Sequence, residues 1–370
     1  LKIAFISSVF GEPWAGSEEL WYQSSLRCLE RGDQVMASLF EMPCSCSQIE
    51  NFQSHGGRVY WRKRFRNGRL HILKHRYLSA FRNVFNSKPD VVIISLGSLM
   101  DLTLYPDLLK ELQETTARVI LIFQFNSDCL IPDANARAMI TSYCHRANHI
   151  IFVSEHNYLL AERQLAMKFN HVSVISNTVP YDKYEILAWP ETNDTLEMAC
   201  AARLVVQEKG HDILLESLAQ PQWRSRDWRL NIFGSGCDEE YIRQLVNHFN
   251  LTDKAMFCGH VADSREIWKK NKIMVMASRA EGLSLASLEA MICGRVCVVT
   301  DVGGHNEVIA DSQSGFLAEA PHPKYFGRAL ERAWSMKESL YDIGKSAHEA
   351  ALRVFSEDSV SRIVSLIEKK

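Results

Sequence analysis

Two glutamates, Glu281 and Glu289, bracket the run Gly282-Leu283-Ser284-Leu285-Ala-Ser-Leu. The run follows a short apolar stretch, Ile273–Met276, and opens a helical pattern near Ser284. The first N–H groups of a helix point outward without partners, and the helix dipole favours an anion beside them. Gly282 and Ser284 are small, so a phosphate can approach the backbone closely. Glu289 falls about five residues into the helix, roughly 7 Å along its axis at ~1.5 Å per residue. That is close to the span from a diphosphate to a ribose, and a carboxylate there can accept hydrogen bonds from both ribose hydroxyls. Glu281, across the phosphates, can accept from the hydroxyls of a sugar. In isolation the pair reads as solvated residues; the agreement of other segments gives it meaning.

Two cations sit in a comparable setting. Ala201-Ala-Arg203-Leu-Val-Val-Gln-Glu-Lys209-Gly210 joins the apolar stretch Glu197–Cys200 to a helix expected over Lys209–Ala219. Arg and Lys at this spacing can flank a leaving group with about two negative charges. Arg binds phosphate bidentately and Lys supplies a point charge. Phe233-Gly234-Ser-Gly236-Cys237 is a glycine turn after a strand. It begins like a dinucleotide fingerprint, but Glu239 holds the place of the third glycine, which disfavours a dehydrogenase. The chain has no Asp-x-Asp, so a divalent metal bridging a diphosphate is not expected, and no cofactor is implied. No carboxylate nucleophile stands out.

The elements that must position these residues alternate along the whole chain. Expected strands are Ile3–Ser7, Gln34–Leu39, Asp90–Ile94, Arg118–Phe123, His149–Val153 and Val172–Ile175. A second series comprises Glu197–Cys200, Arg229–Phe233, Ala255–Cys258, Ile273–Met276 and Val296–Thr300. Most are continuously apolar, the pattern of parallel strands covered on both faces. Helical patterns between them include Ser17–Arg31, Ala134–Arg146, Ser154–Ala166, Asp238–Phe249 and Leu285–Cys293. Alternation of this kind gives doubly wound α/β domains. Pro180 and Pro190 mark a connection between the two series. The expected domains are 1–178 and 179–352, with a last helix over 353–370 that packs back on the first. Ligands in such folds bind beyond the carboxyl ends of the strands.

With these residues in view, the segment Arg279-Ala-Glu281-Gly-Leu-Ser-Leu-Ala-Ser-Leu-Glu289-Ala-Met resembles family 4 of the retaining glycosyltransferases. Arg203 and Lys209 resemble that family's Gly-Arg…Glu-Lys-Gly stretch, in which the two cations neutralise the donor diphosphate; Ala202 stands where glycine is usual. Gly234 and Gly236 match its turn near the nucleotide. Phe257-Cys-Gly259-His260-Val261 matches its loop around the base, where His260 is either a stacking group or an exposed loop residue. Asp301-Val-Gly-Gly304-His-Asn-Glu307 resembles the stretch after the next strand. In the first domain, Phe10-Gly11-Glu-Pro-Trp14-Ala15-Gly16-Ser17-Glu18 resembles the glycine-rich loop before the first helix, with Ala15 in place of one glycine and Ser17 as the N-cap. Many members carry a histidine just after the strand that ends here at Phe123; this chain has Gln124 and Asn126 nearby, to which that role would fall. The resemblance implies the GT-B architecture, two facing Rossmann-like domains with a cleft between them. It also implies a retaining hexosyltransferase that acts by front-side displacement without metal. A nucleotide-diphosphate sugar is then the donor, with uridine favoured because it is common, and a hydroxyl group is the acceptor. A nucleotide-sugar epimerase and a non-catalytic two-domain binding protein are the alternatives of the same shape.

Composition bounds the acceptor only loosely. The 370 residues carry a formal charge of −2, which excludes a polycation built for nucleic acid. The charge is uneven: residues 51–89 hold ten Lys and Arg and no Asp or Glu, leaving 32 basic against 44 acidic residues elsewhere. Over 58–82 these cations interleave with Trp61, Phe65, Leu70 and Phe81, a pattern that suits peripheral contact with an anionic membrane or an acidic acceptor. Phe10, Trp14, Phe123 and Phe125 lie at strand ends and could stack on a planar acceptor such as a pterin, on a saccharide, or on one another. The apolar run at Leu1–Phe10 reads as a buried strand, not a signal peptide, and the scattered cysteines as reduced thiols, so a cytoplasmic location is expected.

Overall fold

Val91–Leu96 and Val296–Thr300 are uncharged and buried at every position. Strands of this composition belong inside parallel sheets covered on both faces, and each occupies an inner position of such a sheet. The computed structural model describes residues 1–9, 14, 16–41, 46–63, 79–181, 183–191, 195–355 and 358–369. The chain forms two units, Leu1–Thr178 with Glu357–Lys370, and Val179–Ser356.

The first unit holds a parallel sheet of β1 (Lys2–Ser7), β2 (Gln34–Phe40), β3 (Arg58–Arg62), β4 (Val91–Leu96), β5 (Arg118–Phe123), β6 (His149–Phe152) and β7 (Val172–Val174), ordered 3-2-1-4-5-6-7. Alternate residues feed two cores: Ala4 and Ile6 face one side, Ile3 and Phe5 the other. The last helix, Ser359–Glu368, completes the second core with Ile363 and Ile367, and Arg118 donates to the carbonyls of Leu366 and Ile367 at its end.

The basic stretch at 58–82 begins as an edge strand, β3. Arg62 is buried; its guanidinium lies 4.2 Å from the centre of the Phe40 ring and 4.8 Å from that of Phe81, and it donates to the carbonyls of Ser7 and Ser38. Carbonyls at the ends of β1 and β2 and the faces of aromatic rings satisfy this charge inside the protein. The rest of that stretch, 64–78, lies outside the described residues.

The second unit repeats the pattern with β8 (Leu196–Ala201), β9 (Trp228–Phe233), β10 (Ala255–Gly259), β11 (Ile273–Met276), β12 (Val296–Thr300) and the short edge strand β13 (Phe316–Ala318). Their order is 10-9-8-11-12-13. The expected connection after Pro180 is pinned to this unit by the buried Arg295, which donates to the carbonyls of Ala188 (2.6 Å) and Trp268 (2.7 Å). Among the described residues no helix is long and apolar enough to cross a membrane.

Candidate active site

The strand order of the second sheet reverses between β8 and β11, and the carboxyl ends at such a reversal are where doubly wound folds bind ligands. Arg203 and Lys209 follow β8, and Glu281 follows β11. The structure brings Lys209 and Glu281 together: the ammonium donates to both carboxylate oxygens, at 2.7 and 2.9 Å. Ser278 Oγ donates to Glu281 Oε1 at 2.7 Å. Burial pushes the Glu281 carboxyl up, but Lys209, with lesser help from His305 and Ser278, overcomes it and holds the group below its ordinary value.

Local sequence explains how residues this far apart meet. The helix expected over Lys209–Ala219 runs from His211 to Leu218, and a short helical turn, Val206–Lys209, precedes it, the two joined at Gly210. Gly210 has φ +63°, and a Cβ there would stand 1.9 Å from the carbonyl oxygen of Ala277, so the backbone just after Lys209 touches the backbone four residues before Glu281. Arg279 ties the same two segments, with two bonds to Asp212 (2.6 and 2.9 Å) and one to the carbonyl of Val206 (2.8 Å). Gly234 and Gly236 serve a comparable close approach: their Cβ positions would fall 2.0 Å from the Ala202 carbonyl oxygen and 2.4 Å from that of Leu204. These two glycines therefore let the β9 loop support the loop that carries Arg203.

The helix Leu285–Ile292 starts at Ser284, whose Oγ accepts from Ser287 N at 3.3 Å. Ser287 Oγ lies 3.1 Å from Ser284 Oγ and 3.3 Å from His305 Nε2. The other ring nitrogen, Nδ1, donates to the carbonyl of Thr300 at 2.8 Å. His305 is buried, and burial lowers its pKa against the pull of Glu281. His305 thus links the helix start to the end of β12. Gly304 N donates to the Gly282 carbonyl at 2.7 Å and fixes the loop beside Glu281. Leu283 is buried and Leu285 half-buried, so this turn presents backbone more than side chain. Glu289 lies on the helix, and burial pushes its carboxyl up to about 7. Ser278, Arg279 and His305 were not singled out from the sequence; a small hydroxyl and a cation directly after a buried strand were the available signals for the first two.

Other expected residues are placed less centrally. Arg203 is exposed and pairs with Glu208 at 2.6 Å, not with Glu281. Gly259 and His260 are exposed and Val261 half-buried, on the loop leaving β10. In the first unit Ala15 and Phe10 lie outside the described residues, and Gly16 is exposed. Ser17 makes no capping hydrogen bond; its backbone is already helical (φ −61°, ψ −19°), not in the extended conformation from which an N-cap side chain reaches the free N–H groups. Trp14 packs against the rings of Tyr22 (5.3 Å) and Trp21 (5.9 Å), and Phe123 stacks on Phe152 at 5.2 Å in the core. These two aromatics are committed to protein contacts. Asn126 is also committed, donating to Gln164 Oε1 at 2.8 Å and accepting from Ser127 N at 2.9 Å. Gln124 is buried too, but among the described residues neither atom of its amide has a hydrogen-bond partner.

Comparison with known proteins follows the same division. Residues 196–336 match the family described as Glycosyl transferases group 1. The putative glycosyltransferase EpsD of Bacillus subtilis is 29% identical over 149 residues, 40% of this chain and 39% of that protein. The chain thus matches well under half the length of this curated relative. Over the full length, sucrose-phosphate synthase from Thermosynechococcus elongatus has a similar structure, with a TM-score of 0.77, 17% identity and coverage of 99% and 98% of the two chains. Anabaena HepE, solved in complex with UDP, gives 0.75, 16%, and the same coverage. The fold is the two-domain α/β fold of the GT-B glycosyltransferases.

Proposed function

We propose that this protein is a retaining hexosyltransferase that moves a sugar from a nucleotide-diphosphate donor to a hydroxyl acceptor. The observation that carries the reading is the Lys209–Glu281 pair beside the Ser284-capped helix, at the point where the second sheet reverses its strand order. The likeness of 196–336 to group 1 glycosyl transferases supports the reaction class. The UDP bound by HepE makes uridine the first base to test.

In this reading the donor diphosphate lies against Lys209, Arg203 and the free N–H groups after Ser284. The sugar faces Glu281, the ribose Glu289, and the base the backbone of Gly259-His260-Val261. The acceptor oxygen bonds to the anomeric carbon on the face that the diphosphate leaves, as the bond from that carbon to the phosphate oxygen breaks. A donor phosphate oxygen takes the acceptor proton, and the nucleoside diphosphate departs. Negative charge grows on the leaving group, where Lys209 and the helix start can offset it without reorganising. Charge neutralisation falls to these groups rather than to a metal, since the sequence has no Asp-x-Asp. The protein contributes position and electrostatics. A hydroxylated acceptor of saccharide type is favoured over a planar aromatic one: the Gln124 amide is unpartnered, while Trp14 and Phe123 are packed on protein rings.

The test is nucleoside diphosphate release from UDP-, GDP- and ADP-sugars, with and without saccharide acceptors, and the anomeric configuration of the product by NMR. Acceptor-dependent release with retention is expected, and Glu281→Ala should lose roughly 10²–10³ in kcat. Donor conversion independent of acceptor would favour the epimerase. Tight binding without turnover would favour the binding protein, and an inverted product would overturn retention.

A further inference from the structure

Gly327 sits inside the helix Pro323–Ser335, where a glycine weakens the helix. Its φ lies outside the left-handed region, so the backbone does not require it. Packing does not require it either. Gly344, inside the helix Leu340–Val354, is explained by a close approach: a Cβ there would stand 2.3 Å from the carbonyl oxygen of Gly294. A Cβ on Gly327 would meet no atom of the described residues within 4 Å, although the residue is buried. The space it leaves open belongs to a groove of about 640 Å³ between this helix and the helix His211–Leu218. Small-molecule sites span ~300–1,000 Å³, so the groove has the size of one.

The two walls of the groove differ in charge. Lys324 and Arg328 share the helix face of Gly327 and line one wall; Glu216, Gln220 and Gln222 line the other. The remaining charges at the groove are already spent. Glu331 is bound by both terminal nitrogens of Arg226, at 2.7 and 2.8 Å, and Arg332 donates to Asp311 at 2.9 Å and to the Leu317 carbonyl at 2.7 Å. Lys324 and Arg328 lie 5.9 and 5.6 Å from the centre of the Tyr325 ring. Among the described residues neither cation forms an ion pair, with Glu216 or with any other carboxylate. Opposite charges thus line one groove without closing it. A ligand that spans it needs an anionic group for the cations and hydroxyl donors for the carboxylate and the two amides. A neutral sugar leaves the cations unused, and a bare phosphate has nothing to donate to Glu216.

We propose that this groove binds an acidic saccharide, a sugar chain with a carboxylate or phosphate beside free hydroxyls, at a site separate from the Lys209–Glu281 pair. Glu216 lies in the second half of the helix His211–Leu218, away from the Gly210 turn that carries Lys209. The choice of a saccharide rests on the transferase reading, since such an enzyme meets glycan chains as acceptor and product; the open space and the unpaired charges do not rest on it. A chain held in the groove stays at high local concentration for the enzyme without occupying the reacting centre.

The test measures binding to the full chain by calorimetry with three probes: trigalacturonate, maltotriose and inorganic phosphate. Trigalacturonate should bind, and the other two roughly tenfold more weakly or not at all. Gly327→Leu fills the groove and Arg328→Gln removes one cation, so trigalacturonate should weaken by roughly tenfold and fivefold. Gly327→Ala puts a methyl group into open space and should raise the melting midpoint by roughly 2–4 °C. A lower midpoint would show that packing needs the glycine, and that overturns the argument from Gly327. Maltotriose or phosphate binding as tightly as trigalacturonate overturns the acidic-saccharide assignment. Trigalacturonate that does not bind, or binds both variants like wild type, overturns the site. Nucleoside diphosphate release from donor sugars, measured on the same samples, separates the two readings. Turnover without trigalacturonate binding means that the groove proposal alone fails. Trigalacturonate binding that the variants weaken, with no donor turned over, means that the transferase reading fails and the groove stands.

Discussion

Lys209 Nζ lies 2.7 and 2.9 Å from the two carboxylate oxygens of Glu281, a residue 72 positions further along the chain. Their side chains are 15% and 6% exposed, so each charge has given up most of its water for the other. Removing one partner strands the other, which costs about 3–5 kcal/mol for a buried pair. Lys209→Met and Glu281→Gln should each lower stability toward that range in urea denaturation. The double variant, which removes both charges, should recover much of the loss. Turnover should not recover, because the diphosphate still lacks its cation. A double variant as unstable as the summed singles would show that the two residues do not act as an electrostatic unit. The Glu281 pKa is held below its ordinary 4.5. Its contribution to stability is therefore complete above that pH and is lost as pH falls through the depressed value.

Glu18 behaves in the opposite sense. It is 4% exposed in the first turn of the helix Glu18–Glu30, and burial pushes it from 4.5 up to about 7 against the opposing pull of nearby polar groups and the charge of Arg62. Between those values the folded protein holds a proton that the unfolded chain releases. The stability that Glu18 contributes is therefore fully present below about pH 4.5 and is lost as pH rises through about 7. At ~1.4 kcal/mol per pKa unit the loss is about 3 kcal/mol. Glu18→Gln keeps the shape and removes the titration. Denaturation midpoints from pH 5 to 8 should fall more steeply for wild type than for the variant; parallel profiles would place the titration elsewhere.

Glu289 carries the same upward shift, to about 7, into ligand binding. A ribose diol needs the ionised carboxylate as acceptor, so nucleotide binding should strengthen as pH rises from 6 to 8 and release a proton near pH 7. Calorimetry in two buffers of different ionisation enthalpy reads that proton directly. Equal heats in both buffers, with affinity flat across the range, would remove Glu289 from the ribose.

Much of this was legible from residue order, because the signals were continuous. Arg118–Phe123 reads as a buried strand and is one, and Glu281–Glu289 reads as a loop running into a helix and does so. The failures have local causes. Arg58-Val-Tyr-Trp-Arg62 has a cation at each end, so its edge strand was hidden; ring faces and carbonyls supplied by distant segments make Arg62 an interior residue. The helix expected to start at Lys209 starts at His211, after a left-handed Gly210 that lies against the Ala277 carbonyl, a contact no local pattern reveals. Gly210→Ala should therefore do more than its helix propensity suggests. It forces a side chain into a left-handed backbone against a carbonyl oxygen, a loss of roughly 2–4 kcal/mol, and it moves Lys209 with it. Equilibrium denaturation and nucleotide affinity should both fall; unchanged values would mean the two backbones can part without cost.

The pair Gln124 and Asn126 offers the cleanest separation of structure from function. Sequence could not divide them, since both are amides at the same strand end. The fold does divide them. Asn126 spends both ends of its amide on Gln164 and Ser127, so Asn126→Ala should cost about 1–3 kcal/mol by leaving those groups unpaired. Gln124 is 5% exposed and spends neither end. A buried amide with no partner already bears its desolvation cost, so Gln124→Leu should be neutral or stabilising, by up to about 1 kcal/mol. If that amide serves an incoming hydroxyl, the same variant should raise the acceptor KM or lower kcat while its melting point holds or rises. Activity retained in Gln124→Leu, with the gain in stability, would mark the amide as a buried defect and move the acceptor contacts to other residues of the first unit.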